Sequence, residues 1–159
     1  SIGTSDLERI RLFAERPHCA TVIHTLNVLN DSTAILDFLA EYGVASLAGL
    51  PLYLGFLSGR FDPNAEFEAD DFRGRMNFTE GRYADVLRQA SLIRDVLESE
   101  GRTMAQGALA WIWARAGHTI PVPGFKKQSD VESSMAALEK GPLTPEQMVQ
   151  IAELLGRTA

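Results

Sequence analysis

The chain has 159 residues and a mass of 17.4 kDa, and 45% of its residues are hydrophobic, which predicts one compact domain and argues against a disordered chain. The net charge of −6 argues against nucleic acid as the principal partner. No apolar run reaches the roughly 18 to 20 residues needed to cross a bilayer, and the N-terminus lacks the layout of a signal peptide. The single cysteine, Cys19, excludes a disulfide framework within the chain and favours a cytoplasmic location.

Three segments of the sequence have the composition of β-strands. Residues 20–29 are rich in β-branched side chains and almost continuously apolar, which is typical of a strand covered on both faces. Residues 44–47, continuing toward Pro51, form the second predicted strand. Residues 119–123 form the third, and we expect it to be short because its two prolines cannot donate ladder hydrogen bonds.

Helices are predicted before, between and after these strands. Capping patterns and apolar periodicity place the helix starts near Ser5, Asp31, Tyr83, Thr103, Ser129 and Thr144. The second, third and fourth of these helices are expected to end near Gly43, Gly101 and Gly117. The alternation of helices and strands predicts parallel βαβ units and an α/β fold.

The predicted strands are too few for a closed structure. A (β/α)8 barrel usually takes about 250 residues. An open sheet this narrow leaves strand edges unpaired. We therefore expect residues 1–159 to form a single, partial domain whose other strands are missing or are supplied by another chain.

The segment from Pro123 to Asp130 is the strongest candidate binding site in the sequence. It follows the third predicted strand, carries Gly124, Lys126 and Lys127, and leads into a helix N-terminus, where free backbone N–H groups favour an anion. The loops after the last strands of barrel folds are also the usual place for a phosphate. A surface turn with two solvated lysines is the alternative interpretation, and the residues alone leave both open.

A second candidate region follows the second predicted strand. Gly55, a further glycine and Arg60 come to the same end of the sheet, although their spacing is not that of a Walker loop and glycines often serve turns alone. Residues 60–80 then form a long connection that contains Arg73 among six acids. Long connections at this edge of a parallel sheet often act as lids or binding loops.

Signals for metal binding and nucleophilic catalysis are weak. The histidines His18, His24 and His118 lack metal-ligand spacing, and no Gly-x-Ser-x-Gly motif is present. No metal site and no catalytic residue is therefore predicted. For Trp111 and Trp113, packing within a largely apolar helix is favoured over stacking on a ligand.

A series of motifs stands in a fixed order along the chain. Residues 3–6 are Gly-Thr-Ser-Asp, residues 26–30 are Leu-Asn-Val-Leu-Asn, and residues 50–60 are Leu-Pro-Leu-Tyr-Leu-Gly-Phe-Leu-Ser-Gly-Arg. Residues 105–111 are Ala-Gln-Gly-Ala-Leu-Ala-Trp, and residues 120–126 are Ile-Pro-Val-Pro-Gly-Phe-Lys. In the same order they resemble the Gly-x-Ser-Asn turn after strand five, Tyr-Asn-x-Leu-Asn of strand six, Ser-Pro-Leu-x-x-Gly-x-Leu-Thr-Gly-Lys after strand seven, Ala-Gln-x-Ala-Leu-Ala-Trp, and the eighth strand with its turn in the aldo-keto reductase family.

This resemblance implies a (β/α)8 TIM-barrel enzyme that uses NADPH to reduce an aldehyde or a ketone. The chain would contain roughly strands five to eight, their helices and a C-terminal extra helix. The missing first half would also account for a sequence that begins at Ser1 without methionine, as a processed chain, an excised chain or the middle of a longer protein does. Because the family's catalytic aspartate, tyrosine, lysine and histidine come from the first four strands, none is carried over, and we expect the isolated chain to have no turnover.

The resemblance assigns the cofactor side of the site to this chain. The residues carried over, from the carboxamide through the pyrophosphate to the adenosine 2′-phosphate, are Ser5, Asp6, Leu52, Gly55, Arg60, Arg73, Gly124, Phe125, Lys126 and Asp130. The implied 2′-phosphate position coincides with the anion-binding turn indicated by the residues themselves.

Six positions depart from the family's pattern. Ile23 stands in place of a glutamine that binds the carboxamide, Gly49 in place of an aromatic residue that stacks on the nicotinamide, and Leu50 in place of a serine. At the adenosine end, Asp130 replaces glutamine or arginine, and an aspartate beside a phosphate is unfavourable. The remaining departures, where the family has glutamate and asparagine, are Ser133 and Ser134.

Three functions remain open from the sequence. The first is an oxidoreductase chain that keeps the dinucleotide half of a reductase site and acts on a carbonyl substrate together with the missing N-terminal half. The second is a non-catalytic half barrel with a vestigial cofactor site, which associates through its open strand edges with another copy or another protein. The third is a binder of a phosphate ligand at residues 124–129 without redox chemistry.

Overall fold

The computed structural model describes residues 1–16, 18–61 and 71–157. Within them the chain forms an α/β fold with four parallel strands, β1 (Ile2–Gly3), β2 (Thr21–Thr25), β3 (Ala45–Gly49) and β4 (Thr119–Pro121). The strands lie in the sheet in chain order, and each pairs in parallel with the one before it. The predicted α/β class is confirmed, and β1 adds a strand that the periodicity of the sequence did not show.

Helices lie on one side of this sheet. Their bounds are α1 (Leu7–Ala14), α2 (Thr33–Glu41), α3 (Arg82–Leu92), α4 (Arg94–Leu97), α5 (Met104–Arg115), α6 (Gln128–Lys140) and α7 (Pro145–Leu154). Short 3-10 turns occur at Tyr53–Ser58, Phe72–Arg75 and Ser99–Gly101. In the part of the chain that the structure describes, no helix has the length and apolar character to cross a bilayer.

One predicted capping box is confirmed, and one that was not predicted is present. Thr144 and Gln147 form the predicted box at the start of α7, with Pro145 as the first helical residue. At the predicted helix start Thr103, the Gln106 amide donates to Thr103 Oγ1 at 3.3 Å, and the Thr103 amide donates to Gln106 Oε1 at 3.0 Å, which forms a box that was not predicted. Both boxes satisfy N–H groups that have no partner inside the helix.

The end of β2 and the start of α1 differ from the prediction. The strand predicted over residues 20–29 ends at Thr25, because the Asn27 amide group donates to the Leu50 carbonyl at 3.0 Å and its Oδ1 accepts from the Leu29 amide at 3.1 Å, which turns the chain. The cap of α1 is Asp6 and not Ser5. Ser5 Oγ instead accepts from the Thr25 amide at 2.9 Å and links the turn after β1 to the end of β2.

Two helices also differ from the prediction. The long helix expected from Tyr83 to Ser99 breaks at Ile93, which has φ −101° and ψ 0° and is completely buried; neither glycine nor proline marks the break. The helix expected to begin with a capping box at Ser129 starts at Gln128, so Asp130 becomes its third residue.

The helices cover one face of the sheet and build the core there. Successive strand residues point to opposite faces. Val22 of β2 packs with Ile10 of α1 and Leu39 of α2, all three fully buried. Ala48 of β3 lies in the main core with residues of α4, α5 and α7, including Leu97. Burial of apolar area at about 25 cal/mol per Å² makes this face the main source of stability.

The opposite face has no covering layer within the described ranges. Ile23, Leu47 and Ile120 are register partners and form one apolar row across β2, β3 and β4. Ile23 is 39% exposed and Ile120 is 59% exposed. In a (β/α)8 barrel the helices lie outside and the other face of the strands fills the interior. The row therefore corresponds to a part of a barrel interior.

Candidate functional site

The carboxyl ends of β3 and β4 bring two loops to one edge of the sheet. Because β3 and β4 are paired neighbours, residues 50–61 and residues 122–127 leave the sheet side by side. Parallel sheets bind ligands at this edge. The long connection predicted over residues 60–80 is described only in part, since residues 62–70 lie outside the described residues.

The loop after β3 is a tight, irregular coil. Leu50, Tyr53 and Leu54 have left-handed φ angles of 53°, 44° and 57°, which are uncommon for residues with a side chain. Gly55 follows with φ 98°, and a Cβ at this position would lie 3.0 Å from the ring of Phe61. Both the backbone angle and the close approach therefore require glycine at position 55.

Asp71 binds two of the cations that the resemblance assigned to the cofactor. Its carboxylate accepts from the Arg73 amide at 3.0 Å, from Arg73 Nε at 2.8 Å and from Arg73 Nη2, and it accepts from Lys126 Nζ at 3.0 Å. Arg73 also donates to the Leu54 carbonyl at 3.5 Å and stacks on the Phe61 ring at 5.0 Å. Hydrogen bonds from Arg73, and then from Lys126, hold the pKa of Asp71 far below its ordinary value.

Asp130 pairs with the third of these cations, Arg60, and accepts hydrogen bonds from backbone amides at the start of α6. Arg60 Nη2 donates to Asp130 Oδ1 at 2.5 Å, and the amides of Lys126 and Lys127 donate to Oδ2 at 3.0 and 3.1 Å. Bonds from Arg60 first, and then from the two amides, lower the pKa of Asp130 to about 2. The N–H groups that the sequence predicted to be free for an anion are therefore already bonded to the chain's own carboxylate.

Four of the predicted residues thus join one ion-paired group, which Asp71 completes. We call this group the edge cluster, and its members are Arg60, Asp71, Arg73, Lys126 and Asp130. Gly55 lies against it, since a Cβ there would be 3.2 Å from Arg73 Nη1. The described members, three cations and two carboxylates, together carry one net positive charge.

The other predicted residues have different surroundings. Asp6 caps α1 by accepting from the Glu8 amide at 3.0 Å, and Ser5 bonds the end of β2. Leu52 packs its side chain against the main core, and its carbonyl accepts from the Gly55 amide at 2.9 Å. The remaining two, Gly124 and Phe125, are exposed in the turn after β4.

Asp71 was not predicted as a site residue from the sequence. Its local signal is an aspartate two residues before Arg73, a spacing at which the carboxylate bonds the following amide in an Asx turn. Its contact with Lys126 spans 55 residues of sequence. No local pattern indicates a contact of that separation.

Two of the residues that depart from the family's pattern, Ile23 and Gly49, lie next to each other. A Cβ at Gly49 would lie 3.2 Å from Ile23 Cγ2 and 3.3 Å from the His24 carbonyl oxygen. Ile23 therefore covers the point from which an aromatic side chain would extend. At the adenosine end, the Ser134 hydroxyl donates to the Asp130 carbonyl at 2.8 Å and so bonds within its own helix.

The helix-covered face of the sheet holds a buried polar pair. His24 Nε2 and Ser46 Oγ lie 2.8 Å apart, and both residues are buried. Burial lowers the pKa of His24. Among the residues with described positions, no group of three or more histidine, cysteine, aspartate or glutamate side chains could hold a metal ion. Trp111 is buried in the main core, in agreement with the packing interpretation.

Comparisons with known proteins agree with the resemblance seen in the motifs. A family model described as "Aldo/keto reductase family" matches residues 1–155. The aldo-keto reductase str7 of Strobilurus tenacellus is 29% identical over 130 residues, which cover 81% of this chain and 38% of that protein. The chain thus spans well under half the length of this curated relative.

Solved structures show the fold. The glycerol dehydrogenase AKR11B4 from Gluconobacter oxydans matches 94% of this chain and 46% of its own, with a TM-score of 0.78 at 21% identity. An aldo-keto reductase from Klebsiella pneumoniae, solved in complex with NADPH, matches 98% of this chain and 47% of its own, with a TM-score of 0.70 at 20% identity. The fold is therefore part of the aldo-keto reductase barrel, and with the family match over residues 1–155 the chain belongs to the aldo/keto reductase family.

Proposed function

We propose that this chain is the C-terminal, dinucleotide-binding half of an aldo-keto reductase barrel, equivalent to strands five to eight. The observation that carries the proposal is the meeting of the loops after β3 and β4, which brings Arg60, Arg73 and Lys126 to one sheet edge. The motifs at these loops resemble those after strands seven and eight of the family. By family, the whole protein reduces an aldehyde or a ketone with NADPH, and the Klebsiella relative solved with NADPH supports this assignment.

The residues present fit the pyrophosphate of a dinucleotide well, and they fit its 2′-phosphate and its nicotinamide poorly. Arg60 and Arg73 supply positive charge beside the glycine coil, where the backbone of Gly55 permits close approach of a pyrophosphate. At the 2′-phosphate position, however, Asp130 holds the amides that a phosphate would need. At the nicotinamide end, Ile23 and Gly49 form an apolar wall without an amide or an aromatic ring.

In this proposal the two halves of the barrel supply different parts of the active site. The bound dinucleotide supplies the hydride, while this chain binds its phosphates and lines one side of the nicotinamide. The acid that protonates the carbonyl oxygen comes from the other half, because the family's catalytic residues lie on the first four strands. This division accounts for the expectation that the isolated chain has no turnover.

Complementation with the other half tests this function. The purified chain is mixed with the first four βα units of a homologous aldo-keto reductase, and carbonyl-dependent oxidation of NADPH or NADH is followed. We expect neither half to oxidise the dinucleotide and the complex to do so. A folded, stoichiometric complex that binds no dinucleotide and shows no oxidation would contradict the proposal.

Two neighbouring lysines provide a matched control for the binding site. Lys126 pairs with Asp71 at the edge cluster, and Lys127 contributes its backbone amide to Asp130. In the complex, Lys126→Gln is expected to weaken binding of NADPH several-fold more than Lys127→Gln, since a charge at the 2′-phosphate contact is lost only in the first. Equal effects of the two variants would argue against the assigned position of Lys126.

A second candidate function, association with another copy of the chain, is favoured by the open sheet face. The apolar row of Ile23, Leu47 and Ile120 is exposed at the face that a complete barrel would fill. Helix α6 adds an exposed stripe at spacings of four and three, consisting of Val131, Met135 and Leu138. Clusters of exposed apolar side chains mark candidate interaction sites.

Light scattering tests this second candidate. We expect the purified chain to form dimers, and the pair of substitutions Ile120→Lys and Met135→Lys to shift it to monomers. A monodisperse monomer of the unmodified chain at high concentration would exclude self-association. The carbonyl substrate and the cytoplasmic location predicted from the sequence stay predictions.

A further inference from the structure

We propose that Asp130 is a specificity-determining residue that makes this site select the free ribose 2′-hydroxyl of NAD(H) over the 2′-phosphate of NADP(H). The inference rests on the proposed function, because it requires a dinucleotide to lie along the edge cluster. It separates this chain from the Klebsiella relative that was solved with NADPH.

The chain's own carboxylate fills the place at which a 2′-phosphate would bind. Asp130 Oδ2 accepts from the amides of Lys126 and Lys127 at 3.0 and 3.1 Å, and Oδ1 accepts from Arg60 at 2.5 Å. The Asp130 side chain is only 15% exposed, so these three donors hold it against the start of α6. A phosphate at a helix start needs the same N–H groups. It could reach them only by displacing a charged group that already has three partners.

A second carboxylate occupies the nearby lysine. Lys126 Nζ lies 3.0 Å from Asp71 Oδ2, and Asp71, which is 9% exposed, is also bonded to Arg73. Lys126 and Arg60 therefore each have a carboxylate partner. A 2′-phosphate brings up to about two negative charges. Placed beside Asp130, these charges meet like charge in a partly buried site.

A ribose hydroxyl interacts with the same site differently. A carboxylate can accept about four hydrogen bonds. Asp130 accepts three from the described residues, and Oδ1, which receives the Arg60 bond, has room for another donor. A hydroxyl group can donate that bond and adds no charge. Acidic residues bind ribose 2′-hydroxyls in this way in unrelated dinucleotide-binding folds.

Binding of the two dinucleotides to the purified chain and to Asp130→Asn tests the proposal. Asparagine keeps the size of the side chain and one oxygen for the two amides, but it removes the charge. By fluorescence titration at one ionic strength, we expect the unmodified chain to bind NADH about tenfold more tightly than NADPH, which is a difference of one charge interaction in a partly buried site. We expect Asp130→Asn to bring the two affinities together, mainly by tighter binding of NADPH.

A matched control removes a carboxylate of the same kind elsewhere. Asp85 is ion-paired with Arg88 within α3, so Asp85→Asn changes the net charge equally and leaves the edge cluster intact. Its ratio of NADH to NADPH affinity should equal that of the unmodified chain. Circular dichroism and thermal unfolding verify that each variant is folded. If Asp130→Asn does not fold, Asp130→Ser replaces it, because the short serine side chain also removes the charge and keeps an oxygen acceptor.

The outcomes separate this inference from the proposed function. Preference of the unmodified chain for NADPH, or an unchanged affinity ratio in a folded Asp130 variant, overturns the inference and leaves dinucleotide binding in place. If neither dinucleotide binds to any of the folded proteins, alone or in complex with the other half of the barrel, the proposed function and the inference both fail.

Discussion

In β2, Val22 and His24 point toward the helices and are at most 2% exposed, whereas Ile23 between them is 39% exposed on the opposite face. The same contrast continues in the neighbouring strands, where Ala48 is completely buried and Ile120 is 59% exposed. Both faces carry apolar side chains, which is expected for strands of a barrel because they are covered on both sides in the complete fold. The difference shows that the described chain supplies one of the two layers that its strands require.

The two faces therefore differ in how they contribute to stability. On the helix-covered face, each buried side chain has close-packed neighbours, so changes of volume are costly. On the open face, side chains already contact solvent, so truncation removes little. Predictions on stability and titration distinguish the faces directly.

The largest effect is expected at Gly107 in α5. A Cβ at Gly107 would lie 2.1 Å from the Leu97 carbonyl oxygen, a backbone atom that no rotation of a side chain can move. We expect Gly107→Ala to lower the free energy of unfolding by about 3 kcal/mol, measured by urea denaturation. Gly117→Ala is the control, because nothing lies within 4 Å of its Cβ position. A Gly107→Ala protein as stable as Gly117→Ala would contradict the close packing of α5 on α4.

Adjacent residues of β2 compare the two faces within one strand. Val22→Ala removes fully buried methyl groups and is expected to lower the free energy of unfolding by about 2 kcal/mol. Ile23→Ala is expected to cost less than about 1 kcal/mol, because its side chain is already partly exposed. Chemical denaturation of both variants measures the difference. Equal losses would mean that the open face is covered in solution.

His24 gives the helix-covered face a dependence on pH. Burial lowers its pKa, so below the ordinary histidine value the unfolded chain binds a proton that the folded chain does not. Its contribution to stability is present above about pH 6.5 and is lost as the pH falls, with a slope of up to about 1.4 kcal/mol per pH unit. Urea denaturation at several pH values should show this slope weakened in His24→Gln and retained in His18→Gln, where the histidine is exposed. Identical slopes in the two variants would refute this assignment.

The smallest effect on stability is expected at the sheet edge, where polar contacts replace the apolar ones of both faces. Arg60 is 62% exposed in its pair with Asp130, and exposed ion pairs contribute little. Arg60→Gln should therefore leave stability nearly unchanged while the pKa of Asp130 rises from about 2 toward its ordinary value, because Arg60 is the main cause of the shift. NMR titration of the Asp130 carboxyl carbon measures this change. An unchanged pKa would show that the two backbone amides alone hold the carboxylate.

Local features of the fold were predictable from the sequence because their causes are local. The caps at Thr103 and Thr144 depend on residues three positions away, and Gly43 has the predicted left-handed φ of 64°. Two features gave no comparable signal. The strand β1 is only two residues long, too short for any periodicity, and the helix break at Ile93 contains no glycine or proline.

In the candidate site, too, some contacts were predictable from the sequence and others were not. The approach of Arg60 and Lys126 follows from topology, since loops after neighbouring parallel strands leave the sheet at one edge. The role of Asp130 as internal partner of Arg60 does not, because 70 residues separate them. Electrostatic partners at such separation are determined by tertiary packing, which no local pattern encodes.

The order of the strands in the sheet has a consequence for how the protein is made. Among the described strands, β2, β3 and β4 each pair with the strand that precedes them in the chain, so each of these pairings joins a new unit to one already synthesised. Folding can therefore advance from the N-terminus as the ribosome adds residues. The most recent strand leaves one parallel edge open until the next strand pairs with it, so this strand order allows sheet assembly to run in the same direction as translation.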